Sequence, residues 1–216
     1  MTLVEYTKIK IEENNEHLVN LNDYNFVVEP KYHNQGLSAD PNLFLRKGVV
    51  KMLKDIQKEL GGYRFKIWDA FRSRDVQNNI YQKFRRNLKD EHPDWNDDML
   101  KLETGKFVSP PYEIERIPPH ATGGAVDLTL TDSNGKELDM GTDFDFFGPA
   151  AGFDYFEKND IDSRIRNNRV LLRNAMVKAG FRQDKDEWWH YDYGNQIWAL
   201  ELNKSFAFYG EASPVE

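Results

Sequence analysis

Hydrophobic positions along the chain recur with two periods, and the changes of period mark its elements. In "RKGVVKMLKDIQKEL" (46–60), Val49, Val50, Leu53, Ile56 and Leu60 fall at helical spacing and Gly61-Gly62 follows as a stop, which predicts an amphipathic helix. "YRFKIWDAF" (63–71) alternates and is rich in aromatic residues, the pattern of a strand. From Ser73, a fitting N-cap with Asp75 in the first turn, Val76, Ile80, Phe84 and Leu88 mark a second helix. Residues 89–119, with "HPDW" and "SPPYEIERIPP", read as a long connection of the kind that carries function or lies over a site. "AVDLTLTD" (125–132) predicts a strand with Val126, Leu128 and Leu130 on its core face and Ala125, Asp127 and Thr129 on a less apolar one. "SNGKE" is a turn, "DIDSRIRNNRVLLRNAMVKAG" (160–180) an amphipathic helix closed by Gly180, and "EWWHYDY" (187–193) a last strand. Short extended pieces broken by turn residues fill 20–42, and the tail after 204 is weakly patterned. Strands interleaved with a few helices, and no linker, predict an α+β fold: a single domain over 1–216 with a small, mainly antiparallel sheet flanked by helices.

Composition narrows the function classes. The 216 residues are 39% hydrophobic and 13% aromatic, ordinary for a folded chain and too apolar for a disordered one. No apolar run approaches the roughly 18 residues that cross a bilayer. The start has no basic region followed by an apolar stretch and a cleavage site, so the cytoplasm is the expected compartment. With no cysteine, disulfides, thiolate metal sites and a cysteine nucleophile are excluded. A net charge of −7 leaves no footprint for nucleic acid, and the short basic cluster Lys83, Arg85 and Arg86 reads as a solvated helix face.

Against this background two stretches carry candidate chemistry. "HATGGAVD" sets His120 and Asp127 on either side of Gly123-Gly124, where the backbone can bend tightly enough for the histidine to stand beside the carboxylate. "EWWH" sets Glu187 three residues before His190; in a regular strand the two would face opposite ways unless the backbone kinks between them. A loop histidine beside a solvated aspartate, and an aromatic core strand with a hydrogen-bonded histidine, are the plain alternatives. The stoichiometry favours a site: catalytic zinc takes three His or carboxylate ligands, and a nearby carboxylate that is not a ligand can act as base. His120, Asp127, His190 and Glu187 supply that set. His17, His33 and His92 read as surface histidines, with His33 able to line a cleft beside Tyr32.

These residues carry a family resemblance. "HATGGAVD" fits H-x-x-G-x-A-x-D and "EWWH" fits E-x-W-H, both signatures of the D-alanyl-D-alanine dipeptidases, zinc peptidases related to the D,D-carboxypeptidases and the hedgehog zinc domain. "MGTDFDFF" (140–147), "WDAFRS" (68–73) and "KYHNQ" (31–35) resemble three further family segments, in order, so that the likeness spans roughly 24–200. It implies a hedgehog/D,D-peptidase-like fold and one Zn²⁺ per chain held by His120, Asp127 and His190, with Glu187 as general base. Arg72 would stabilise the oxygen that becomes anionic, and Asp69 would orient a ligand or Arg72. Asp145 would receive the free ammonium of a small dipeptide substrate, with Tyr32 near it. D-Ala-D-Ala or a similar dipeptide is the expected substrate. A D,D- or L,D-carboxypeptidase on peptidoglycan-derived peptides and a non-catalytic zinc-binding module are the alternatives. The chain departs from the family at Pro118, where a serine is usual, and in "DAFRS", which lacks the usual Gly, Tyr and Pro; both bear on which dipeptide fits.

Overall fold

The apolar stripe of 46–60 becomes a helix whose buried side, Val49, Val50, Leu53 and Ile56, lies against the hydrophobic core. The computed structural model describes residues 6–111 and 117–213. In chain order the elements are β1 (Leu18–Asn20), β2 (Val27–Val28), α1 (Lys31–Asn34), β3 (Phe44–Arg46), α2 (Lys47–Glu59), β4 (Arg64–Asp69), α3 (Arg74–Glu91) and α4 (Asp97–Phe107). They continue with β5 (Ala125–Thr131), α5 (Tyr155–Lys158), α6 (Ser163–Lys178), β6 (Arg182–Gln183), β7 (His190–Asp192) and α7 (Gln196–Glu201). A five-stranded sheet runs β2-β4-β5-β7-β6, parallel only between β2 and β4, and β1 pairs with β3 in a separate antiparallel ribbon. The fold is α+β. No helix among the described residues is long and apolar enough to cross a membrane.

β5 is the middle strand, and all seven of its residues are buried. The less apolar face expected for Ala125, Asp127 and Thr129 is therefore covered too, by the segments that carry the candidate site. Its pairing with β4 shifts register between Ile67, opposite Leu128, and Asp69, opposite Asp127, so Trp68 is the extra residue of a β-bulge. Side chains alternate along a strand, and an unshifted register would set Trp68 across from Asp127; the bulge presents Asp69 instead. On the other side Asp127 pairs with His190. The fold thus lines up Asp69, Asp127 and His190 as one row across three strands.

Two expected elements differ. The connection 89–119 contains α4, capped by the Asn96 side chain, which accepts from the Met99 amide. It buries only Leu100 and Thr104, too thin an apolar stripe to stand out as a periodicity; part of that connection, 112–116, lies outside the described residues. The strand expected over 187–193 is shorter. Glu187 to His190 form a turn in which the His190 amide donates to the Glu187 carbonyl at 3.3 Å, and only His190–Asp192 are extended.

The bend before β5 depends on its glycines. Gly123 is left-handed (φ +69°), and a Cβ there would meet Leu18 at 2.4 Å. A Cβ on Gly124 would lie 2.3 Å from the Tyr193 carbonyl oxygen, which is backbone and cannot swing away. The turn is also held from outside by Arg46, buried, whose Nε donates to the Thr122 carbonyl at 2.8 Å and whose Nη2 donates to the Gly210 carbonyl at 3.1 Å. Gly124→Ala is expected to destabilise the fold by about 1–3 kcal/mol through overpacking, read as a lower denaturation midpoint in urea with an unchanged slope.

Candidate metal centre and its cleft

Four segments meet at the end of the β5 row. His120 comes from the short 3₁₀ turn Pro119–Thr122, Asp127 from β5, and His190 from the start of β7. Glu187 is brought beside them by the turn that precedes β7. His120 Nε2 and His190 Nδ1 lie 3.2 Å apart, His190 Nδ1 lies 2.9 Å from Asp127 Oδ1, and His120 Nε2 lies 3.4 Å from Asp127 Oδ2. All three residues are buried, and they form the one group of three metal-capable side chains among the described residues, with one ligand atom of each within 4.8 Å of the others.

The outer ring nitrogens decide which atoms face inward. His120 Nδ1 donates to the Ala70 carbonyl at 2.7 Å, and His190 Nε2 lies 3.2 Å from Asp192 Oδ2. Each imidazole thus spends one ring N–H outside the cluster and turns its other nitrogen into it, the arrangement that orients metal-binding histidines. Asp192 is fully buried and itself held, accepting from Arg182 Nη1 at 2.9 Å and from Asn195 Nδ2 at 2.7 Å. Burial disfavours a charged His190 ring, yet Asp192 and Asp127 on its two sides hold its pKa well above the usual imidazole value. Burial likewise opposes ionisation of Asp127, but His120 and His190 hold its carboxyl well below the usual range. Two imidazole nitrogens, that of His190 once a cation displaces its proton, and one carboxylate converging at these distances are a donor set that fits zinc.

Arg72 lies next to the row. Its Nε and Nη2 donate to Asp69 Oδ2 at 2.9 and 2.6 Å, its Nη1 donates to Gln77 Oε1 at 2.8 Å, and Nη2 lies 3.7 Å from Asp127 Oδ2. Its guanidinium also covers the Tyr32 ring at 4.6 Å, so the ion-paired and the aromatic-stacked arginine are both present. Asp69 reaches His120 as well, with Oδ2 3.3 Å from Nδ1. Each terminal nitrogen of Arg72 keeps a second N–H beyond the bonds named.

Glu187 and Asp145 complete the wall. No side chain among the described residues hydrogen-bonds the Glu187 carboxyl, and burial pushes it up to about 8, with the Asp127, Asp184 and Asp145 charges adding to the shift and His190 opposing it. Its turn is tied down by Trp188, whose amide donates to the Ala151 carbonyl at 2.9 Å and whose Nε1 donates to Thr142 Oγ1 at 2.8 Å. Asp145 sits in a left-handed backbone conformation (φ 60°), uncommon for a non-glycine residue, and accepts from the Tyr32 hydroxyl at 3.1 Å. Burial pushes its carboxyl up to about 7. The loop that carries it is pinned by Arg169, which donates to the carbonyls of Met140, Gly152 and Ala150 at 2.7–2.9 Å.

All eight candidate residues therefore meet in one neighbourhood. His120, Asp127, His190, Glu187, Arg72, Asp145 and Tyr32 line a common cleft of ≈ 800 Å³, with Asp69 behind Arg72. His33 is not on that cleft; its Nδ1 lies 3.0 Å from the Ser38 carbonyl oxygen. Sequence reasoning missed Asp192, Gln77 and Arg182. Only Asp192 left a signal there, two residues after His190 on the same strand face; Gln77 and Arg182 sit on elements whose patterns say nothing of the centre.

Comparisons with known proteins agree on one family. A family model described as D-Ala-D-Ala dipeptidase matches residues 43–209. A D-alanyl-D-alanine dipeptidase of Synechocystis is 34% identical over 107 residues, 43% of this chain and 43% of that protein. Those of Escherichia coli (27% over 153 residues, 69% of this chain and 66% of that one) and Enterococcus faecium (30% over 134 residues, 60% and 62%) are similar too. The aligned stretch spans less than two thirds of each relative's own length. The Asp192 hydrogen bond makes one outcome expected. Asp192→Ala should weaken zinc binding about 10–100-fold, measured by competition with a chromogenic chelator, while Asp192→Asn should recover part of it.

Proposed function

The chain belongs to the D-Ala-D-Ala dipeptidase family, and from that premise we propose that it is a zinc-dependent dipeptidase hydrolysing D-Ala-D-Ala or a similar short dipeptide. The observation that carries the reading is the convergence of His120 Nε2, His190 Nδ1 and the Asp127 carboxylate beside Glu187 in an open cleft. When bound there, zinc supplies Lewis acidity, lowering the pKa of a water and polarising a carbonyl.

The chain's own groups do the rest. Glu187 takes a proton from the attacking water as its oxygen bonds to the peptide carbon. No side chain among the described residues hydrogen-bonds this carboxylate, so both its oxygens are open to take that proton and to return it to the amine nitrogen as the C–N bond breaks. Arg72, fixed by Asp69 and Gln77 before substrate arrives, needs no reorganisation to place positive charge on the carbonyl oxygen as that oxygen becomes anionic. Asp145 receives the substrate ammonium, with the Tyr32 hydroxyl holding its carboxylate in place. A longer peptide brings no ammonium to that position and would leave the acid without its counter-charge, which favours the dipeptidase over a carboxypeptidase. A cytoplasmic location is proposed with the activity, and cell fractionation would check it.

Metal analysis of the purified chain is expected to give about one zinc per chain, and exhaustive chelation to abolish turnover until zinc is restored. Glu187→Ala should keep the zinc yet lose about 10²–10⁴-fold in kcat on D-Ala-D-Ala; full turnover with zinc bound would remove Glu187 as the base. Asp145→Asn should raise KM for D-Ala-D-Ala, while an N-acetylated dipeptide should be a poor substrate of the unaltered enzyme.

A further inference from the structure

The cleft does not end at Asp145. Beyond Asp145 and Tyr32 it continues along Ile80 and Phe84 of α3, Phe107 at the end of α4, and Phe147 of the Asp145 loop. Three of these rings touch one another: Phe84 and Phe147 have centroids 4.6 Å apart, Phe84 and Phe107 5.5 Å, and Phe107 and Phe147 5.6 Å. Two of them are nonetheless half open, Phe107 at 49% and Phe147 at 47% exposure. Aromatic rings packed against one another yet left partly to water along the wall of a cleft form an apolar surface with room for a guest. At ≈ 800 Å³ the cleft lies near the upper end of the range, about 300–1,000 Å³, of sites that engulf whole drug-sized ligands, far more than two alanine residues fill. Nor is the aromatic wall loose, since the loop bearing Phe147 is the one Arg169 anchors at three carbonyls.

We propose that this aromatic annex is a specificity subsite for a large apolar side chain on the N-terminal residue of the dipeptide. The inference rests on the dipeptidase reading and on Asp145 as the ammonium site. Phe147 is two residues from Asp145 in the chain, and Tyr32, whose hydroxyl donates to Asp145, packs in one cluster with Ile80 and Phe84, so the annex adjoins the group that would take the ammonium. The occupant is the substrate itself because the annex is continuous with the reacting centre. An alanine methyl leaves the rings wet; an isobutyl or benzyl group covers them.

The test uses the full-length, zinc-loaded protein with D-Ala-D-Ala, D-Leu-D-Ala and D-Phe-D-Ala. In the unaltered enzyme, kcat/KM for D-Leu-D-Ala and D-Phe-D-Ala should exceed that for D-Ala-D-Ala by about tenfold or more, the scale on which apolar pockets discriminate. Phe147→Ala and Phe84→Ala should each erase most of that preference. Phe84→Leu, which keeps the apolar wall, should retain it. Calorimetric titration of the zinc-loaded Glu187→Ala protein measures binding without turnover, with D-Phe-D-Ala expected to bind about tenfold tighter than D-Ala-D-Ala. Equal or weaker binding of D-Phe-D-Ala overturns the annex, as does a Phe147→Ala variant that lowers both substrates alike. If no dipeptide is turned over by the unaltered enzyme while D-Phe-D-Ala still binds more tightly, the dipeptidase reading fails and the apolar subsite stands.

Discussion

Three carboxylates buried on neighbouring strands of one sheet set the constraint from which the rest of this molecule follows. Asp69, Asp127 and Asp192 lie at or below 4% exposure, and anions removed from water are tolerated only beside compensating charge. Arg72 answers Asp69 and Arg182 answers Asp192, each through direct hydrogen bonds. Asp127 is different: its nearest neighbours are two imidazoles that each turn one ring nitrogen toward it, and the arginine closest to it stays 3.7 Å away. The sheet thus neutralises two of its buried acids permanently and leaves the third facing a gap shaped for a cation.

The parts around that gap are mostly loops, yet none of them is held by its own sequence alone. Buried arginines do the fastening. Arg46 grips the His120 turn, Arg169 the Asp145 loop, and Arg182 the residue behind His190. Each gives several N–H donors to carbonyls or carboxylates in a fixed planar fork, which fixes the direction of a loop as well as its distance. Lysine could supply the charge at these positions but not the geometry. Such preorganisation suits a centre in which displacements of about 1 Å are costly to catalysis.

How far the sequence anticipated this varies with the physics behind each feature. Helices with a broad apolar stripe were legible: Val49, Val50, Leu53 and Ile56 fix α2, and Ser73 caps α3 as expected. α4 was not, because a helix burying one narrow edge leaves little periodic signal. The spacing of His120, Asp127, Glu187 and His190 pointed to one neighbourhood, since a strand and the glycine bend before it constrain where those side chains can go. What pattern could not supply was the turn at Glu187–His190. An aromatic run reads as a strand, and only the pairing of Trp188 with Ala151 and Thr142 breaks it. Partners from distant elements, such as Gln77 and Arg182, are products of tertiary packing and have no local signature.

The extra residue in β4 has a consequence for how this protein can vary. Because Trp68 absorbs a register shift, the identity of the side chain facing Asp127 depends on the parity of the residues before it. A one-codon insertion between Arg64 and Trp68, with the bulge kept in place, would leave a strand of nearly the same length but exchange an acid for an indole beside the cluster of His120, Asp127 and His190. Over evolutionary time this stretch should therefore tolerate substitutions far more readily than changes of length, although it lies in the packed interior where the reverse is not usually asked.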